Sequence, residues 1–110
     1  MNKFRTMPAR QVDYPAHLHE LQEGDFVIYH VNEETQTAQM SYRPPGCDMV
    51  YSAPLTMDET KQDKSGTSGT YWFWDRDMQN PTCRPSFGVP ASPPYRWHGF
   101  LTKGVWEACE

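Results

Sequence analysis

A chain of 110 residues, 37% hydrophobic and carrying a net charge of -4, with a mean hydropathy of -0.81, has the size and polarity of one soluble domain. No window approaches the roughly 18 apolar residues that a membrane span needs. An isoelectric point near 5.5 argues against general nucleic-acid binding, because that affinity rests on a basic face that neutralises phosphates.

Val, Leu and Ile number only 6, 4 and 1, whereas Phe, Trp and Tyr number 5, 4 and 6. Aliphatic side chains this scarce cannot fill a core, so aromatics, which bury on the order of 150 to 250 Å² each, must do it. The first ten residues hold Lys3, Arg5 and Arg10 and no anion. They read as a solvated arm over residues 1–12, and no apolar segment follows of the kind that would make a secretory signal. The expected location is the cytoplasm. Cys47, Cys83 and Cys109 are odd in number and contain no CxxC pair, which predicts reduced thiols in a reducing compartment.

Between Asp13 and Gly24, Leu18 and Leu21 stand three apart and Gly24 is placed to stop a helix, so a short helix is expected there. Asp25 to Val31 runs together β-branched and aromatic residues and predicts a strand that is apolar on both faces, hence central in its sheet. Ala38, Met40 and Tyr42 alternate with Thr37, Gln39 and Ser41, the period of a strand with one dry face. Asp25 to Arg43 therefore reads as a hairpin, ended by Pro44, Pro45 and Gly46. Asp48 to Leu55 predicts another strand, with Pro54 confining its end to a sheet edge. Residues 56–70 are polar and rich in Ser and Gly, and read as a mobile loop. Tyr71 to Asp75 is apolar on both faces and too short for a helix, which predicts a buried strand. Five prolines between Pro81 and Pro94 exclude a regular helix. Trp97 to Leu101 and Val105 to Cys109 flank Thr102, Lys103 and Gly104, the composition of a terminal hairpin. The expected fold is mainly β: a small antiparallel β-sandwich or partly open barrel, with at most one short helix.

Chemical motifs are sparse. His17 and His19 would share a face on a strand but diverge on a helix, so they read as surface histidines. Cys47, Cys83, His98 and Cys109 are the right ligand types for zinc but lack the paired spacing that one tight turn preorganises. Asp75 and Asp77 beside Arg76 and Asn80 read as turn residues. Nucleophilic catalysis needs a Ser or Cys with a His, yet no GxSxG, HExxH or phosphate-binding loop is present. Trp72, Trp74, Trp97, Trp106, Tyr71 and Tyr95 are expected to serve mostly as core. Because Trp and Tyr also dominate interfaces, Tyr95, Trp97, His98, Phe100 and Trp106 form the candidate partner-binding surface.

Trp72, Trp74 and Asp75, then Pro81, Thr82, Pro85 and Ser86, then Trp97, His98, Gly99, Phe100 and Gly104 form a pattern. It resembles a family of small uncharacterised proteins of tailed phages and prophages, sometimes labelled ammonia monooxygenase. Relatives often carry a C-P-x-C-like knuckle where this chain has Pro44, Pro45, Gly46 and Cys47, so one cysteine is missing. The resemblance implies a phage or prophage origin, with the cytoplasm of the infected bacterium or the virion as location. The resulting expectation is a non-enzymatic accessory protein with no cofactor and no metal. It would bind another protein, either inhibiting a host defence system or serving as a virion component. The alternative is a small zinc-stabilised or catalytic domain using Cys47, His98 and Cys109.

Overall fold

The computed structural model describes residues 4–15, 17–61, 71–89 and 97–109. Nine strands appear among them: β1 (Phe4–Pro8), β2 (Arg10–Gln11), β3 (Asp25–Asn32), β4 (Thr37–Tyr42), β5 (Tyr51–Thr56), β6 (Trp72–Trp74), β7 (Cys83–Val89), β8 (Trp97–Thr102) and β9 (Val105–Cys109). They form one sheet in the order β1-β9-β8-β7-β6-β5-β4-β3-β2, curled into a nearly closed barrel. Of the two architectures expected, the barrel is therefore the one adopted. The sheet is mostly antiparallel, with parallel pairing at β2–β3 and β5–β6.

Two hairpins follow the sequence closely. β3 and β4 pair antiparallel from Phe26↔Tyr42. The turn between them is fastened by Asn32 Oδ1, which accepts the backbone N–H groups of Glu34 and Thr35. β8 and β9 close at Thr102↔Val105, with Lys103 and Gly104 at φ 48° and 76°. Both central residues in the left-handed region mark the turn type whose twist matches a two-residue hairpin.

Other elements depart from the sequence reading. The expected helix before Gly24 is a single 3-10 turn, Leu18–Glu20, because Leu21 returns to extended backbone and its side chain enters the interior, 2% exposed. β3 is second from the sheet edge, and its burial fades from Asp25 to Asn32. β5 lies mid-sheet and not at an edge. β6 meets β5 only at Leu55 and Thr56, so the ladder on that side begins after Pro54. The amino-terminal segment, expected as a free arm, forms β1 on β9 and β2 on β3. Arg10 grips the buried carboxylate of Asp25 through Nε and Nη2 at 2.8 and 3.0 Å. That pairing raises the guanidinium pKa above its ordinary value, through the hydrogen bond first and the charge second. Residues 62–70 of the expected loop lie outside the described residues. Within its start, Thr56 belongs to β5 and Glu59–Lys61 form a 3-10 turn.

The core is aromatic, as composition requires. Phe26, Tyr42, Trp74, Phe87, Trp97 and Trp106 are all buried, together with Met40, Leu55 and Leu101. Trp106 is at its centre: its ring lies 5.5 Å from Tyr42, 6.0 Å from Phe87 and 5.5 Å from Trp97. Trp97 and Trp106 meet edge to face at 88°, although the register sets Leu101 opposite Trp106. Trp106 Nε1 also donates to the Gly24 carbonyl at 3.0 Å, a buried bond spanning 82 residues. Truncating Trp106 to Ala removes ring and donor together. Trp106→Ala is expected to lose about 3 to 5 kcal/mol of stability, lowering the melting temperature by more than about 12 °C. Differential scanning calorimetry checks this, and a variant melting beside the wild type would place the ring outside the core.

Candidate active site

Alternation along β7 and β8 sorts their side chains between the interior and the outer face. Cys83 and Phe87 point inward on β7, while Arg84 and Gly88 are exposed and Ser86 is half-buried. On β8, Trp97, Gly99 and Leu101 are buried, whereas His98 and Phe100 are exposed. Gly88 pairs with His98, and Ser86, two residues before Gly88, shares that face. Diagonal neighbours of this kind lie within reach of a long side chain. Ser86 Oγ and His98 Nε2 stand 2.8 Å apart, within hydrogen-bond distance.

The strand is irregular at this point. The β7–β8 register shifts between Cys83 and Phe87, and the interval contains Pro85, which has no N–H to give the ladder. Such irregularities bend a strand and re-aim a side chain, and they concentrate near active sites. Trp72 Nε1 donates to the Ser86 carbonyl at 3.1 Å, and the Trp72 ring stacks on Phe87 at 5.3 Å and 4°. Among the described residues, no carboxylate hydrogen bonds to the His98 ring. That ring lies 6.5 Å between centroids from Phe100, which is 39% exposed.

The remaining candidates separate. Of the candidate partner-binding residues, Trp97 and Trp106 are 7% and 0% exposed, so they belong to the core and present no surface to a partner. His98 and Phe100 are on the outer face, and Tyr95 lies outside the described residues. Cys83 is buried against the interior while His98 faces out, so the suggested zinc set is not assembled around them. The side chain of Cys109 lies outside the described residues. Cys47 and Cys83 are buried free thiols, and burial pushes both pKa values up. Among the described residues, no three His, Cys, Asp or Glu side chains are grouped to hold a metal. His17 and His19 stack at 5.3 Å. His19 lines a shallow groove of about 390 Å³ with Leu18, Asp48, Met49, Val50 and Ser52, to which neither Ser86 nor His98 contributes. Asp75 and Asp77 are turn residues: Asp75 Oδ1 accepts from the N–H groups of Asp77 and Thr82, and Asp77 Oδ1 from those of Gln79 and Asn80.

A hydroxyl in contact with an imidazole is the minimal arrangement for nucleophilic catalysis. The family comparison agrees with that chemistry, since residues 12–109 match the family described as bacterial ubiquitination-like system serine protease (BubE). The chain belongs to the BubE family. No curated protein and no solved structure matches it. Membership overturns the expectation of a non-enzymatic phage accessory protein: the BubE description names a bacterial system and a protease. The sequence holds no local catalytic string such as GxSxG, and Ser86 and His98, 12 residues apart, meet only through strand pairing. The usable signals were Pro-Ser and Trp-His, both present in the pattern from Trp72 to Gly104.

Gly99, between His98 and Phe100, has no room for a side chain. A Cβ there would overlap the Glu107 carbonyl oxygen and lie 2.7 Å from the Trp97 ring. Gly99→Ala therefore forces β8 away from β9. A stability loss of about 1 to 3 kcal/mol is expected, measured by urea unfolding, and a variant as stable as the parent would contradict this packing.

Proposed function

We propose that this BubE-family chain is a serine protease in which Ser86 is the nucleophile and His98 the general base. It would act on a polypeptide of a bacterial ubiquitination-like system. The observation that carries the reading is the 2.8 Å contact between Ser86 Oγ and His98 Nε2 on an accessible face of the barrel.

With its proton on Nδ1, the His98 ring accepts the Ser86 hydroxyl proton at Nε2 as Oγ attacks the scissile carbonyl carbon. The tetrahedral adduct collapses by breaking the C–N bond, and His98 returns the proton to the departing amine. Water then attacks the Ser86 ester, giving a proton to His98. Loss of the Ser86 oxygen as leaving group, reprotonated by His98, frees the carboxylic acid and restores the pair. The same steps serve a peptide or an isopeptide bond, because both release an amine from an acyl group.

Both side chains lie outside the core, so their removal separates chemistry from folding. Wild-type protein is expected to form a covalent adduct at Ser86 with a fluorophosphonate probe and to cleave the ubiquitin-like protein of its own system. Ser86→Ala should abolish both. His98→Ala should slow them by roughly 10²- to 10⁴-fold, with melting temperatures near the parent's in each case. Intact-mass spectrometry reads the adduct, and labelling that persists in Ser86→Ala would exclude Ser86 as the nucleophile.

A further inference from the structure

Ser86 lies on a strand whose regular support fails at that residue. The register shift between Cys83 and Phe87 and the missing N–H of Pro85 loosen the β7 ladder immediately before the hydroxyl. On the other flank, β6 is three residues long and pairs with β7 only through Phe73 and Trp74. A backbone carbonyl left at the end of such a short ladder needs a donor from elsewhere. Trp72 supplies it: Nε1 donates to the Ser86 carbonyl at 3.1 Å.

The ring that brings this donor is itself fixed. It lies flat on Phe87, 5.3 Å away and 4° from parallel, and Phe87 is fully buried among the core aromatics. Trp72 is half-buried and packs against the core, while Ser86 Oγ shares the outer face with His98. The indole thus holds the Ser86 peptide from the interior side and leaves the hydroxyl side clear for a substrate. A hydroxyl must be held close to its productive geometry to attack efficiently, and small displacements lower the rate steeply.

We propose that Trp72 is a positioning residue for the Ser86 nucleophile, acting through its indole N–H on the Ser86 carbonyl; this rests on the Ser86–His98 reading above. Its role differs from that of Trp106, whose ring fills the core and whose N–H ties down Gly24. The hydrogen bond and the stack are separable, because a ring without an N–H can keep one and lose the other.

The test replaces Trp72 in the full chain by 3-benzothienylalanine, which has sulfur in place of the indole N–H, and separately makes Trp72→Phe. Phosphonylation of Ser86 by a fluorophosphonate is followed over a range of probe concentrations. Both variants are expected to react about tenfold more slowly at saturating probe, the effect of losing one hydrogen bond. The half-saturating concentration should not change, and the isostere should melt with the wild type. Equal maximal rates for wild type and isostere would overturn the role of Trp72 while leaving the dyad intact. So would a slower rate that appears only with a lower melting temperature and altered near-ultraviolet circular dichroism, since that is a structural defect. A wild-type protein that does not react at Ser86 would overturn the dyad itself, and this role with it.

Discussion

The hydrogen bond from Trp106 Nε1 to the Gly24 carbonyl ties together the two ends of this sheet, whose edge strands β1 and β2 are consecutive in the chain. Trp106 belongs to β9, near one end of the strand order, and Gly24 immediately precedes β3, near the other. A sheet with twisted strands curls, but something must hold its two ends at a fixed separation. Gly24 is well suited to receive the bond. Its own N–H donates to Arg43 and its carbonyl also accepts from Arg10, so the loop is tied to β2 and to the end of β4. At φ 88° it occupies a backbone region that glycine reaches without strain. A second tie runs alongside, from Ala9 N–H to the Gly104 carbonyl, between the β1–β2 junction and the β8–β9 turn. The interior so enclosed is narrow, and flat aromatic rings meeting at varied angles fill it where aliphatic chains are too few.

The fixed interior dictates the outer face. Along paired strands each inward side chain sets its two neighbours outward, so anchoring Phe87 and Leu101 inside leaves Ser86 and His98 outside. A slip of one residue in either strand would bury Ser86 or His98 and expose an aromatic side chain, a change opposed by the whole core. Gly99 extends the constraint. The space where its side chain would stand is taken by the Trp97 ring and the Glu107 carbonyl, so β8 lies close to β9 directly beneath the histidine. The Ser86–His98 pair is therefore located by packing on the opposite side of the same two strands.

Much of this was legible in the residues. The aromatic core follows from 15 Phe, Trp and Tyr side chains against 11 Val, Leu and Ile. The β3–β4 and β8–β9 hairpins follow from alternation around turn residues, and the turn role of Asp75 and Asp77 from their short side chains. What escaped depends on distance along the chain. Arg10 looked like a tail cation because Asp25, its partner, is 15 residues away. Pro54 looked like an edge residue because nothing local says that the pairing with β6 begins one residue beyond it. Ser86 and His98 escaped for a related reason. Each is unremarkable in its own strand, and only the β7–β8 pairing makes them neighbours. Trp97 and Trp106 read both as core and as candidate interface residues, because a tryptophan's preference for cores and interfaces cannot be separated by composition.

A small barrel that carried the proposed chemistry on its outer face would gain one further advantage. A catalytic dyad in the interior would place a hydroxyl and an imidazole among aromatic rings, where unpaired polar groups are destabilising by several kcal/mol in an apolar medium. It would also remove side chains from a core already short of aliphatic surface. On the outer face neither loss arises, since water solvates whatever the dyad leaves unpaired. The remaining difficulty is precision, because exposed side chains on a regular strand are held only by their rotamers. Here the β7–β8 register shifts between Cys83 and Phe87, and Trp72, at the margin of the core, donates to the Ser86 carbonyl. A stable interior and a defined hydroxyl are thus obtained from one set of rings, with Phe87 packed against Trp106 on one side and Trp72 on the other.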